Sequence, residues 1–92
     1  MKFRLKKKKV INFLLHQVSW VRQRDLHILT VGSYTYTSDQ RFSCVRPDGG
    51  NEWNLEIKHL RKEDQGVYEC QISTEPKMSF SVRLNVQGKK IN

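Results

Sequence analysis

Apolar and polar residues alternate with a period of two along most of the chain from Val18 onward, and this period predicts short β-strands. In residues 78–86, five apolar side chains alternate with polar ones, which is typical of a half-buried antiparallel strand. Residues 53–57 likewise place three apolar side chains on one strand face. The alternation therefore predicts a protein built from strands that each have one buried face.

Turn signals separate the strands. The strongest is Pro47-Asp48-Gly49-Gly50, in which proline precedes residues that tolerate a positive φ. Residues 59–66 favour one helical turn that ends at Gly66. About seven short strands with turn signals at intervals of 8–12 residues predict an all-β fold, either a β-sandwich or a barrel.

The charge is concentrated outside the strand-rich region. The 92 residues carry a net charge of +8, but six basic residues lie among the first nine and two more at positions 89 and 90. Residues 10–88 hold nine basic and nine acidic side chains. The basic run is interpreted as a solvated arm, with contact to nucleic acid or acidic lipid and a signal-peptide n-region as alternatives. The apolar residues 10–15 that follow are too few for a secretory h-region and lack a small-residue cleavage site.

The sequence offers no recognisable catalytic or metal chemistry. Its two cysteines, Cys44 and Cys70, are too few for a cysteine zinc site, and its three histidines are scattered. No catalytic serine motif, glycine-rich phosphate loop or paired-carboxylate motif occurs. No apolar run approaches the ~20 residues that a membrane helix needs. We therefore expect a non-enzymatic domain without cofactor, metal or small-molecule substrate.

One local motif is specific for a fold. It is the series Asp64-x-Gly66-x-Tyr68-x-Cys70, in which a tyrosine two residues before a cysteine pins the start of a strand in immunoglobulin sandwiches. The aspartate of such a motif can pair with an arginine that opens an earlier strand, and Arg41 is placed for that role. Trp20 lies 50 residues before the cysteine, as the core tryptophan does in variable-type domains. These six structural residues predict an immunoglobulin-like, V-type β-sandwich.

The chain resembles the first, variable-type immunoglobulin domain of the Dpr (defective proboscis extension response) family of insect neuronal cell-surface proteins. The resemblance covers residues 18–86. It depends on residues 18–32 (VSWVRQRDLHILTVG), 34–42 (YTYTSDQRF), 53–57 (WNLEI) and 66–77 (GVYECQISTEPK). It implies heterophilic pairing with DIP (Dpr-interacting) immunoglobulin proteins on another cell, at the extracellular face of the plasma membrane, in neuronal or synaptic partner matching. A weak homodimer is a further form of pairing that we consider.

The chain departs from the family before residue 18. The family's domain opens with strands A and B, and strand B carries the cysteine that should bond the residue at Cys70. Residues 1–17 contain no cysteine, so that disulfide cannot form within this chain, and a small secreted domain typically loses about 2–5 kcal/mol without it. We therefore divide the chain into a basic and apolar segment (1–17) that does not match the family, a partial V-type domain (18–87) and a C-terminal tail (88–92). On this division the sandwich lacks a normal A/B region, with an uncovered sheet edge and core, and residues 1–17 are interpreted as an alternative start.

Cys44 is the remaining candidate partner for Cys70. It falls on the presumed strand D, in the sheet opposite strand F, and packed sheets are about 10 Å apart, whereas a disulfide tolerates a Cα separation of about 7 Å. A buried thiol that packs as a small hydrophobe is the favoured interpretation of Cys44, and a Cys44–Cys70 bond is the alternative.

The resemblance places partner binding on the outer face of the sheet formed by strands G, F, C, C′ and C″. Because Trp20 points inward, its neighbours in that sheet should supply outward-facing apolar and polar side chains, the composition of a protein-binding patch. The predicted partner-binding residues are Val21, Gln23, His27, Ile28, Leu29, Val31, Tyr34, Tyr36, Glu69, Gln71 and Ser73. His27 is also a candidate for pH-sensitive binding, although an exposed histidine without a role is the simpler interpretation.

Two other functions stay open at this point. The basic residues 2–9 could bind nucleic acid or an anionic membrane, in which case affinity would fall steeply with salt. The chain could also be a fragment that does not fold and has no function of its own.

Overall fold

The computed structural model describes residues 2–5, 17–50 and 52–86, and the statements below concern this part of the chain. It contains eight β-strands and two single turns of 3₁₀ helix, at Pro47–Gly49 and Lys62–Asp64. The strands are β1 (Lys2–Leu5), β2 (Val18–Arg22), β3 (His27–Val31), β4 (Tyr34–Thr35), β5 (Phe42–Val45), β6 (Asn54–Lys58), β7 (Gly66–Ile72) and β8 (Met78–Leu84). The helical turn predicted within residues 59–66 is confirmed, although only its centre is helical.

The strands form two antiparallel sheets. One sheet has three strands in the order β1-β6-β5, and the other has five in the order β4-β3-β2-β7-β8. The strands β2, β3, β4, β7 and β8 therefore occupy the places of C, C′, C″, F and G, and β5 and β6 those of D and E. The predicted all-β sandwich is confirmed.

The first strand is the main difference from the sequence-based expectation. Residues 2–5, which were assigned to a basic segment outside the sandwich, form β1 and pair with β6. Leu5 lies opposite Leu55 in this pairing and is 3% exposed within the core. An apolar residue at this position can complete the sheet, so the expected bare edge beyond β6 carries a strand. Residues 6–16 and 87–92, and with them most of the two predicted terminal segments, lie outside the described residues.

Trp20, Tyr68 and Cys70 meet in the centre of the sandwich, as the motif predicted. Trp20 and Cys70 are cross-strand partners in β2 and β7, and all three side chains are fully buried. The indole Nε1 of Trp20 donates a hydrogen bond to the backbone carbonyl of Trp53, 3.1 Å away. This bond crosses from one sheet to the segment that leads into the other, so it joins the two layers as well as satisfying a buried donor.

Cys44 lies in β5, opposite Leu55 of β6, and carries a free thiol. Since Cys70 lies in the other sheet, the disulfide between the two cysteines that the sequence left open does not form. Burial raises the pKa of the Cys44 thiol, and the nearby Arg46 only partly offsets this effect. Cys44 is thus a half-buried thiol with little thiolate character at neutral pH.

Candidate protein-binding face

A corner at the start of β7 fixes the sheet that carries the candidate site. The guanidinium of Arg41 donates to both carboxylate oxygens of Asp64, at 2.8 and 3.0 Å. The Tyr68 hydroxyl donates to the backbone carbonyl of the same aspartate. Gly66, between them, has a φ of +143°, which side-chain-bearing residues rarely adopt. The contacts that the sequence suggested for Arg41, Asp64 and Tyr68 are present in the structure.

The corner also sets the charge state of Asp64. Burial alone would raise the pKa of this carboxyl, but the hydrogen bonds from Arg41 and from the Arg61 backbone N–H outweigh burial and lower it. The Arg41 guanidinium in turn has a raised pKa, above all because of its hydrogen bonds to Asp64. The pair is therefore ionised at neutral pH and is shielded from water on the carboxylate side.

The outer face of the five-stranded sheet is organised in cross-strand rows. The pairing register places five residues in one continuous row across all five strands: Tyr34, Val31, Ser19, Gln71 and Ser79. A second row runs through Ile28, Val21, Glu69 and Ser81. Each row is apolar on the β3 side of the sheet and polar on the β7–β8 side. The face therefore combines an apolar half and a polar half.

The apolar half contains the large hydrophobic side chains that are most accessible to a partner. Tyr34 is 68% exposed, Tyr36 is 61% exposed and Ile28 is 39% exposed. Leu26, in the turn between β2 and β3, is 70% exposed. We call Leu26, Ile28, Tyr34 and Tyr36 the apolar cluster. Ile28 and Tyr34 lie in the two rows, whereas Leu26 directly precedes β3 and Tyr36 directly follows β4. Several large exposed apolar side chains on a small domain are a candidate interaction site.

The polar half surrounds a shallow cavity of about 350 Å³. Its lining residues are Gln17, Ser19, Gln71, Ser73, Thr74, Glu75 and Lys77. The side-chain amide of Gln71 donates to Glu69 at 2.9 Å, and the Ser73 hydroxyl accepts the backbone N–H of Gln17 at 2.7 Å. These bonds hold the polar side chains in place, so the cavity presents hydrogen-bonding groups to an incoming surface.

Leu29, one of the predicted partner-binding residues, does not belong to this face. The register between β2 and β3 shifts after Trp20, so that Thr30 lies opposite Trp20 while Ile28 lies opposite Val21. Leu29 is the extra residue of this β-bulge and is fully buried in the core. The prediction that it contacts a partner was wrong, because strict alternation could not locate the bulge.

The other predicted residues divide by their accessibility. Val21 lies on the outer face but is 6% exposed, so it supports its neighbours more than it offers contact area. Gln23 lies in the turn after β2, where its backbone N–H donates to the Val67 carbonyl. Val31, Glu69 and Gln71 are half-buried within the rows, whereas Ser73 is exposed beside the cavity. Their contact with a partner stays a prediction.

His27 is exposed at the edge of the apolar cluster. Its Nε2 atom lies 2.9 Å from the Thr37 hydroxyl, and its backbone N–H donates to Asp25. These contacts tie the start of β3 to the loop after β4. They give the histidine a local structural role and leave its part in binding a prediction.

Leu26, exposed in the turn before β3, was not among the predicted partner-binding residues. It has a φ of 56°, in the left-handed region, and the turn that contains it is fixed by a bond from its backbone N–H to the Gln23 carbonyl. The sequence feature that could have indicated its exposure is an apolar residue directly after Arg24-Asp25, at a turn where polar residues are usual. Ser19, Ser79 and Ser81 of the two rows were not predicted, because single small polar residues carry no pattern.

The described residues hold no group of three His, Cys, Asp or Glu side chains that could bind a metal ion. In the same part of the chain, no helix has the length and apolar character to cross a membrane. Two packed antiparallel sheets, a tyrosine corner and an amphipathic outer face define a variable-type immunoglobulin sandwich.

A comparison with known protein families supports the assignment of the fold as an immunoglobulin sandwich. The sequence pattern of the immunoglobulin V-set domain matches residues 14–87. The chain therefore belongs to the immunoglobulin V-set family, which is not known for catalytic activity.

Solved structures include close neighbours of this chain. The first immunoglobulin domain of Dpr1, solved bound to that of DIP-eta, is 50% identical, with a TM-score of 0.81, covering 92% of this chain and 79% of the other. Dpr2 Ig1-Ig2, solved with DIP-Theta Ig1-Ig3, is 48% identical with a TM-score of 0.87, and the match covers 94% of this chain and 39% of the Dpr2 chain. The ZIG-8 first domain, solved as a homodimer, is 27% identical with a TM-score of 0.82, covering 94% and 71%. The resemblance to the Dpr first domain is confirmed.

A longer relative in the nematode matches by sequence. The zwei Ig domain protein zig-8 of Caenorhabditis elegans is 32% identical over 71 residues, which is 77% of this chain and 26% of that protein. The chain thus spans about a quarter of the length of this relative.

Proposed function

We propose that this chain is a cell-surface recognition domain that pairs, through the outer face of its five-stranded sheet, with an immunoglobulin domain of another cell-surface protein. The partner is of the DIP type, and the pairing serves partner matching between neurons at the extracellular face of the plasma membrane. The observation that carries the proposal is the apolar cluster of Leu26, Ile28, Tyr34 and Tyr36 beside a polar row on one sheet face.

The composition of the face supports this role. Stable protein interfaces have an apolar and aromatic centre with a polar rim, and aromatic anchors contribute most of their binding energy. Two exposed tyrosines and an isoleucine supply such anchors, and the Gln71–Glu69 bond and the cavity supply the rim. All five strands of the sheet are hydrogen-bonded to their neighbours. The face can therefore bind a partner without a rearrangement of its backbone.

The related structures support the choice of partner. Both the Dpr1 and the Dpr2 domains were solved in complex with DIP proteins, and they are 50% and 48% identical to this chain. A second member of the same fold family with an equivalent face is therefore the partner class that fits.

The test is a substitution in the centre of the apolar cluster. Ile28→Asp places a charge on the exposed side of β3 and should weaken binding to a panel of DIP first domains, including that of DIP-eta, at least tenfold, or about 1.4 kcal/mol. Surface plasmon resonance measures the affinity. Val45→Asp, on β5 of the other sheet, is the matched control and should bind normally. Equal loss in both variants, or none in Ile28→Asp, would contradict the proposal.

Self-association is the second candidate, because the ZIG-8 domain was solved as a homodimer and the apolar cluster can face its own copy. Sedimentation velocity over a concentration series should then show a dimer that Ile28→Asp removes and Val45→Asp keeps. If the chain is a monomer at all concentrations, heterophilic pairing is the only one of the two proposed forms of pairing that remains.

A further inference from the structure

The acidic and basic side chains of residues 10–88 are equal in number, but not all of them form ion pairs with each other. Most carboxylates at the end of the molecule where β6 finishes already have arginine partners. The ion pairs are Arg22–Asp25, Arg41–Asp39, Arg41–Asp64 and Arg4–Glu56. Glu69 and Glu75 instead lie on the polar half of the outer face.

Four exposed cations remain at this end. Lys58 finishes β6, and Arg61 and Lys62 follow in the turn that leads to β7. Arg24, from the turn between β2 and β3, donates a hydrogen bond to the Glu63 carbonyl and so lies against the same turn. We call Arg24, Lys58, Arg61 and Lys62 the cationic turn. Among the described residues none of the four forms an ion pair, and Glu63 is the exposed acid of the turn.

The backbone that presents these cations is held rigidly. Arg41 donates to the carbonyls of Lys58 and His59, at 3.5 and 3.3 Å, and accepts the Lys58 N–H on its own carbonyl at 2.8 Å. The Arg61 N–H donates to Asp64 at 2.7 Å. A preorganised array of cations loses little backbone entropy when it binds an anionic ligand.

The first strand adds to the positive charge. In the pairing of β1 with β6, Lys2 lies opposite Lys58.

We propose that the cationic turn binds a sulfated glycosaminoglycan of the cell surface or matrix. A flexible polyanion fits because the cations are spread over two turns and are not gathered in a pocket. Membrane insertion is disfavoured because Leu60, the apolar residue of the turn, packs against the core. The turn carries one aromatic ring, the His59 imidazole, and no phenylalanine, tyrosine or tryptophan, so it lacks the series of aromatic side chains on which successive bases of a single strand stack. Lys58, Arg61 and Lys62 lie outside the rows of the outer face, whereas Arg24 shares its turn with Leu26. This inference rests on the extracellular location in the proposed function, but not on pairing with another immunoglobulin domain.

The experiment uses the full chain on immobilised heparin, with affinity measured against NaCl concentration. Lys58→Gln/Lys62→Gln should elute at lower salt and flatten the dependence of log affinity on log salt by about one unit per removed cation. Arg46→Gln/Lys77→Gln removes the same charge from the other end of the sandwich, where β6 begins and β7 ends, and should elute like the unaltered chain. Circular dichroism checks that both variants keep the fold.

Three results would overturn the proposal. One is an equal shift in both double variants, since net charge alone would then explain retention. Another is unchanged retention in Lys58→Gln/Lys62→Gln together with loss when Lys6, Lys7, Lys8 and Lys9 are replaced by glutamine, which would assign binding to the N-terminal run. The third is binding to phosphatidylserine vesicles through the turn without retention on heparin.

Discussion

The two faces of the five-stranded sheet place opposite demands on their residues. On the inner face, Trp20, Tyr68 and Cys70 are fully buried and each position is set by neighbours from both sheets. On the outer face, Ile28 and Tyr34 lie in equally regular strands but remain accessible. The backbone pairing is the same for both faces. Core packing therefore restricts which residues can occupy the inner face, whereas residues of the outer face can be exchanged without disturbing the core.

The largest expected effect comes from two adjacent residues of β3. Leu29→Asp would bury an unpaired charge and should abolish cooperative unfolding, because that cost exceeds the stability of a small domain. Ile28→Asp, one position earlier, should change the free energy of unfolding by about 0.5 kcal/mol or less, as surface substitutions usually do. Urea denaturation followed by tryptophan fluorescence separates the two. If urea unfolded both variants at the same concentration, the conclusion that the bulge turns Leu29 inward and Ile28 outward would be wrong.

The next effect compares an inner and an outer ion pair. Arg41→Met leaves the buried Asp64 carboxylate without its partner and should cost about 3–5 kcal/mol. Arg22→Met removes the partner of Asp25, whose side chain is 46% exposed, and should cost at most about 1 kcal/mol. Guanidinium chloride denaturation gives both values. Comparable losses would show that burial does not determine the strength of these pairs.

The smallest effect is the response to acid. The folded state lowers the pKa of Asp64 and lowers that of Asp25 to about 2, in the latter case mainly through the hydrogen bond from Arg22. Because both folded pKa values lie below the unfolded ones, these groups stabilise the fold above about pH 4 and lose that contribution as the pH falls through the folded values.

Thermal melts at pH 7, 4 and 3 should therefore show a decreasing Tm. Asp64→Asn should be less stable at pH 7 and show a shallower decrease, since one of the linked carboxyls is gone. A Tm that is constant or rises toward pH 3 would contradict this linkage.

Local spacing accounts for what could be predicted. The corner of Asp64, Gly66 and Tyr68 lies within five residues of sequence, and its partner Arg41 was found because the strand after it begins with an apolar residue. Alternation predicted the strands with one buried face, and the Dpr resemblance indicated the face that we propose as the binding surface. These features depend on neighbours along the chain, which a sequence displays directly.

The features that escaped prediction depend on contacts between distant segments. Nothing near Leu29 marks the bulge, which arises where β2 and β3 are matched in register. Leu5 could be recognised as a core residue only once β6 was known to have a free edge for it. Leu26 was passed over because its exposure follows from the conformation of a turn.

The amino-acid sequence by itself determined the V-type sandwich, its corner and its central tryptophan, because each follows from side-chain type and short-range spacing. Only the tertiary structure decided which apolar residues of β3 face outward, how residues 2–5 enter the sheet, and where the cations gather. Those outcomes depend on pairing register and on which carboxylates lie next to which arginines, and both are relations between residues far apart in the chain.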